Sequence, residues 1–195
     1  MKKMLMFQSI RGNAASVAAA PFYLPEIVRG GGGGAAPVAG GAAAAPDMPW
    51  GNPTWDVLHT MAEKIKPELF AQVRTDVLNV IFTICTNLPC PDCSEHAKKH
   101  LDSIGFKNIR TPEELKTAIF QFHNYVNSRK KYPIFSRDNL DEKYARVNTK
   151  KAIYYFIQHF QEGSKNPGMI SQELFRTRIL GQLVEWFKTN MGLFN

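Results

Sequence analysis

Cysteine is scarce in this chain of 195 residues: Cys85, Cys90 and Cys93 are all there is, and they fall within nine positions. So few, so crowded together, cannot form the disulfide framework of a small secreted scaffold, and they point to chemistry rather than bracing. Alternating β-branched runs of strand length are nearly absent after Trp50, which leaves little from which to build a sheet. No stretch approaches the roughly 20 apolar residues of a membrane span, so none is expected. The opening MKKMLMFQSIRGN starts like a signal peptide, but Gln8, Ser9 and Arg11 interrupt its apolar run. Acidic residues are also in deficit, 17 against 24 lysines and arginines, for a net charge of +7. That excess would suit an anionic partner, yet it is scattered apart from Arg129, Lys130 and Lys131, so nucleic acid is not expected. These absences describe a soluble protein held in a reducing compartment.

What is present divides into three stretches. Residues 1–49 include GGGGGAAPVAGGAAAAPD, a glycine, alanine and proline segment that cannot bury enough apolar surface to offset its ordering entropy; a disordered leader is expected. Residues 50–161 read as one helical domain, and residues 162–195 as an amphipathic helical extension. Asn52 followed by Pro53 suggests an N-cap and N1 pair opening a helix to about residue 66. From Pro67, Leu69, Val73, Val77, Val80, Ile84 and Leu88 recur at intervals of three and four, the period of a second helix. A third starts at the cysteine pair and runs to about Ser103. Thr111, Pro112 and Glu114 form a capping box for a fourth, which ends before Pro133. After a loop rich in Asp and Asn, NTKKAIYYFIQHFQ makes a fifth, and GSKNPG ends it. A last helix spans about residues 171–189. The expected class is all-α: a bundle of four to five helices with an extra C-terminal helix.

CPDC, at residues 90–93, carries the chemistry. Cys90, Cys93, His96 and His100 have the side-chain types of a zinc site, but on one helix Cys93 and His100 stand about 10 Å apart along the axis. One ion with ligands at about 2.0–2.3 Å does not bridge that, and no metal site is expected. Covalent haem needs histidine directly after the second cysteine, where Ser94 stands. A thioredoxin-type site needs strands that are missing. A plain buried pair stays available, since free cysteine is often buried, although a first-turn position disfavours it. Residues i and i+3 of a helix lie close enough for a disulfide, and the N–H groups of a helix start favour a thiolate. The pattern therefore favours a redox-active disulfide without saying where its electrons go.

Two helix faces hint at a ligand. On the fourth helix Leu115, Ile119, Phe122 and Val126 form the core stripe, and Lys116, Phe120, His123 and Asn127 form a parallel polar and planar one, with Asn124 at its edge. On the first, Trp55 and His59 are i and i+4, hence on one face. A planar molecule with polar edges, lodged among helices, suits both.

WGNPTWDVLH at 50–59, CPDC at 90–93, HNYVN at 123–127 and DEKYARV at 141–147, in that order and spacing, resemble the Erv/ALR family of FAD-linked sulfhydryl oxidases over roughly residues 50–160. The resemblance implies a helical bundle around noncovalent FAD, commonly homodimeric. It implies Cys93 as the cysteine nearest the flavin and Cys90 as the one exchanging with substrate thiols. It implies cofactor contacts from Gly51, Trp55, His59, His123, Asn124 and Asn127, with Lys143 and Tyr144 beside the adenosine part, where the family often has tryptophan in place of Tyr144. Its substrates would be a dithiol protein, a thioredoxin-like one being a candidate, and dioxygen.

The chain departs from the cellular members in having no second cysteine pair to shuttle electrons, unless Cys85 serves; a buried inert thiol is the simpler reading of Cys85. Such minimal cores resemble virus-encoded members, which sets the expected location in the cytoplasm, that of a host cell or a virion included. The competing reading is a helical interaction module that keeps the scaffold without useful catalysis, using the Arg129–Lys131 cluster and the last helix as surfaces.

Overall fold

The computed structural model describes residues 48–138, 140–162 and 170–195. The leader expected over residues 1–49, apart from its last two residues, and the GSKNPG breaker lie outside the described residues. The helices are α1 (Gly51–Lys64), α2 (Pro67–Thr86), α3 (Pro91–Ser103), α4 (Pro112–Lys130), α5 (Leu140–Ala145), α6 (Thr149–Glu162) and α7 (Ile170–Asn190), with single 3-10 turns at Phe106–Asn108 and Met191–Leu193. Among the described residues no strand is present, only an isolated bridge between Ile65 and Phe194. The all-α class is as the sequence implies.

Helix α1 is the hub, packing on α4, α5 and α6, while α2 carries α3. Val57, Leu58, Met61 and Ala62 of α1 are buried, and so are its polar Thr54, His59 and Thr60. A helix buried nearly all round belongs in the middle of a bundle. Its start differs from the expected Asn52–Pro53 cap. The helix begins at Gly51 on an N-cap Trp50 whose side chain makes no cap hydrogen bond. The Gly51 N–H donates to Met48 O at 3.0 Å, and the Thr54 hydroxyl to Trp50 O at 2.7 Å. Burial of the Trp50 indole, 8% exposed, sets the chain's entry. Pro53 then falls third in the helix, where its missing N–H costs no intrahelical bond.

The capping box of α4 forms nearly as read: the Glu114 N–H donates to Thr111 Oγ1 at 3.1 Å, and its carboxylate accepts the Arg110 N–H at 2.7 Å, one residue earlier than the ideal motif. The loop expected after α4 contains an additional helix, α5. At six residues it is too short for its period to show, yet Leu140 and Tyr144, i and i+4, are both buried. Beyond it Leu180, Leu183 and Phe187 of α7, with Phe194, join the core built by α1 and α2. The Lys66 N–H donates to Leu193 O and the Asn195 N–H to Lys64 O, both at 2.9 Å, tying the last turn to the α1–α2 junction.

Helix α2 meets the length and apolar composition of a membrane span, against the expectation of no such stretch. The same feature is met by core helices, and Phe70, Val77, Leu78, Val80, Ile81 and Ile84 of α2 are buried in this core.

Candidate functional site

The reactive end of α3 is assembled locally. Cys90 is the N-cap in extended conformation, Pro91 is N1, and Cys93 is N3. Cys90 and Cys93 are joined by a disulfide, with 5.2 Å between their Cα atoms. The Cys93 N–H donates to Cys90 Sγ at 3.2 Å and the Ser94 N–H to Cys90 O at 3.0 Å. The sulfur at the N-cap thus lies in the positive end of the helix dipole, where a thiolate is favoured once the disulfide opens.

Cys93 lines a cleft of about 290 Å³ between α1, α3 and α4, and Cys90 does not. Gly51, Trp55, His123 and Asn127 share that wall, with Arg129 and Lys130 also lining it. Trp55 and His123 are stacked, their ring centroids 4.1 Å apart and their planes within 9°. Phe135 stacks on the far face of the group, 5.5 Å from His123.

His59, Asn124, Lys143 and Tyr144 lie outside the lining. His59 sits behind His123, with 3.0 Å between its Nε2 and His123 Nδ1, and the Tyr144 ring stacks on it at 4.7 Å. Asn124 clamps the loop after α4: its Nδ2 donates to Phe135 O at 3.0 Å and its Oδ1 accepts the Phe135 N–H at 2.8 Å. Asn127 adds a hydrogen bond to Pro133 O at 3.1 Å. Both amides thus shape the loop that brings Phe135 to the rings. Lys143 donates to the Tyr144 hydroxyl at 3.1 Å, and that hydroxyl donates to Asp56 Oδ1 at 3.3 Å. Lys116 of the expected polar stripe turns elsewhere, pairing with Glu63 at 2.9 Å.

Burial governs the protonation here. Desolvation holds the His59 imidazole well below its ordinary range, helped by His123 and Lys143. The same desolvation, with the Lys143 charge, lowers His123 to about 4. The two rings are therefore neutral near pH 7 and share one N–H···N bond. Asp56 is raised by burial, a shift that Lys143 and the Tyr144 hydroxyl oppose, and Tyr144 is raised by burial beside Asp56. The result is a pocket whose stacked Trp55 and His123 wall is planar and uncharged near pH 7, with Arg129, Lys130 and Asp92 as the charged residues of its lining.

Cys85 also touches the cleft, but it is buried and its thiol is pushed up to about 12 by desolvation, so it is protonated and unreactive as it stands. Of the histidines considered for metal, His100 stacks on Tyr125 at 4.1 Å and His96 bonds Arg129; among the described residues, no group of three or more His, Cys, Asp or Glu gathers as a metal site. Sequence reasoning did not find Phe135, Asp56 and the His96–Arg129 contact. Phe135 stands in a loop without periodicity, and only its distance from the HNYVN motif hints at it. Asp56, next to Trp55, had no visible partner until α5 was known.

The Erv1/Alr family model matches residues 52–145. A putative FAD-linked sulfhydryl oxidase, 096R, of Invertebrate iridescent virus 3 is 28% identical over 96 residues, 49% of this chain and 65% of that protein. FAD-linked sulfhydryl oxidase ERV1 of Oryza sativa subsp. japonica is 28% identical over 98 residues, 50% of each chain, and that of Arabidopsis thaliana 25% over 101 residues, 52% of each. The match thus spans from half to just under two thirds of the relatives' own length. No solved structure matches the chain.

Proposed function

We propose that the chain is a member of the Erv1/Alr family, whose model matches residues 52–145, and that it is an FAD-linked sulfhydryl oxidase that introduces disulfides into a dithiol protein. The observation that carries this reading is the opening of the Cys90–Cys93 disulfide, through Cys93 alone, onto a cleft walled by the stacked Trp55 and His123 rings.

The donor set fits the cofactor chemically. Flat, neutral aromatic walls suit a ring system, the Asn127 side chain suits its polar edge, and Arg129 and Lys130 at the rim suit a diphosphate. A cleft of about 290 Å³ is at the lower end for a ligand pocket, so it would take part of the dinucleotide and leave the rest toward solvent. When bound, FAD would accept two electrons from the reduced cysteine pair and deliver them to dioxygen as hydrogen peroxide.

The chain's own residues do the thiol chemistry. A substrate thiolate attacks Cys90 Sγ, the sulfur outside the cleft; the Cys90–Cys93 bond breaks and Cys93 leaves as a thiolate. The substrate's second thiolate then attacks its own sulfur in the mixed disulfide and releases Cys90. The substrate has lost two electrons and two protons, and the protein holds a dithiol. Trp55 and His123 hold the wall opposite Cys93, and the ring cluster behind them excludes water.

A homodimer and a cytoplasmic location, in a host cell or virion if the chain is virus-encoded, belong to the same proposal. The family resemblance supports the first. The similarity to an iridescent virus protein supports the second. Light scattering on the purified protein tests the dimer, and a single-chain mass would end it.

The visible absorption spectrum of the purified protein tests the main reading. A flavin band that bleaches on dithiothreitol addition while oxygen is consumed is the expected result. A colourless protein that consumes no oxygen would replace it with the helical interaction module.

A further inference from the structure

His96 lines the same cleft as Cys93 and has no part in the reaction described above. It follows Cys93 by three residues on α3, so the two share a face. Helical side chains lean toward the N-terminus, which carries the imidazole back over the turn that holds Cys93. Its outer nitrogen, Nε2, lies 2.9 Å from Nη2 of Arg129, which reaches across from the last turn of α4. A guanidinium only donates. Nε2 must therefore accept, and the single ring hydrogen of His96 resides on Nδ1, the nitrogen nearer its own helix.

We propose that Arg129 and His96 form a device that holds the Cys93 thiolate: Arg129 sets the tautomer of His96, and the His96 Nδ1–H donates to Cys93 Sγ when the disulfide opens. The proposal rests on the reading of Cys90–Cys93 as the reactive disulfide. In chemical terms the Cys90–Cys93 bond breaks, its electron pair stays on Cys93, and the hydrogen stays on Nδ1, so no proton is transferred. A stabilised leaving thiolate departs faster from a disulfide. His96 is the donor to the reacting atom, and Arg129 is a positioning residue.

Other groups around Cys93 would also act on a thiolate. Asp92 on α3 opposes it, Lys130 and Arg129 on α4 favour it by charge, and His123 across the cleft is neutral near pH 7. Glu95 is paired with Lys99. The charges are screened by salt and the hydrogen bond is not, which gives the test its control.

In a Cys90→Ser background Cys93 is a free thiol, and Cys85, buried and pushed up to about 12, stays silent. The pH dependence of iodoacetamide alkylation then reads the Cys93 thiolate directly, at low salt and at about 0.5 M salt. The expected result is that His96→Leu moves the midpoint up by about one pH unit at both salt levels. His96→Asn, whose amide N–H stands near the Nδ1 position, restores most of the shift. Arg129→Gln, which no longer dictates the tautomer, moves it up by less, and part of that shift persists in salt. A midpoint unchanged in His96→Leu overturns the proposal, and so does His96→Asn behaving like His96→Leu. A shift in Arg129→Gln that vanishes in salt removes Arg129 from the device. Oxygen consumption by the unmodified protein with dithiothreitol is recorded alongside: its absence would count against the oxidase reading, whereas the alkylation profile reports on His96 whichever way that falls.

Discussion

The start of α3 and the ring cluster on α1, α4 and α5 meet at one cleft, yet they are built in opposite ways. The first is local: four consecutive residues supply the N-cap, the proline at N1, and both sulfurs. It is half-exposed, and little of the core depends on it. The second is assembled from Trp55, His59, His123, Phe135 and Tyr144, residues up to 89 positions apart, and it is buried with His59 only 3% exposed and Tyr144 1%. Reactivity is thus placed where a partner can reach it, and recognition where only tertiary packing can make it. Changes at the first should alter chemistry and spare the fold, whereas changes at the second should alter both.

The largest effect is expected at the local end. Cys93→Ser removes the disulfide, and dithiol oxidation should fall to background, a loss of at least about 1,000-fold, because no alternative electron path from Cys90 to the cleft remains. The same variant should keep its flavin absorbance and its helical fold, since a bond closing so short a loop contributes only about 2 kcal/mol, the low end for a disulfide. Residual activity near the parent level would break the comparison at once.

His123→Ala tests the other side. It removes the ring held between Trp55 and Phe135 and leaves His59 Nε2 without its partner at 3.0 Å. A cost of about 2–3 kcal/mol follows from the lost packing and the orphaned nitrogen. The melting temperature should drop by roughly 5–10 °C, and flavin recovered with the purified protein should fall with it. Loss of activity with flavin retained and an unchanged melting temperature would show that the cluster is not the holding region.

How much of this was legible in the sequence follows the same division. CPDC could be placed at a helix start because proline and spacing are neighbours in the chain, although that Cys90 is the cap and Pro91 the first helical residue emerges only in the structure. Trp55 and His123 could each be put on a helix face by period alone, but that their rings would stack against one another could not, since no local rule pairs residues 68 positions apart. Phe135 and Asp56 escaped for that reason. The cap of α1 was misread because Asn52–Pro53 is a sound local signal that burial of Trp50 overrides. Helix α5 escaped because six residues hold too little period to see.

Acid should separate the two regions without any substitution. In the unfolded chain an imidazole takes its proton near 6.5, whereas folded His123 takes one only near 4. Between those values the unfolded state binds more protons, so stability is complete above about pH 7 and falls as the pH is lowered toward 4. His59, depressed by burial in the same direction, adds to the loss. A decline on the order of 2 kcal/mol is expected over that window from His123. The disulfide end contributes nothing, because its cysteines do not titrate while bonded. Thermal unfolding across pH checks this, and His123→Gln should flatten the profile; an equal slope in that variant would place the acid sensitivity elsewhere.

The smallest effect sharpens the comparison from within a single helix. Thr111 caps the end of α4 remote from His123, its Oγ1 accepting the Glu114 N–H at 3.1 Å on an exposed surface. Thr111→Ala should cost about 1 kcal/mol, which for a chain of this size lowers the melting temperature by roughly 2–4 °C. Flavin content and oxidation rate should not change, because α4 stays anchored by buried Leu115, Ile119 and Phe122 between that cap and the cleft. If the cap variant sheds flavin as His123→Ala does, the ring cluster is answering to the general stability of α4 rather than to its own contacts. Stability lost with flavin kept would instead show that the cluster holds its ligand through the stacked rings themselves.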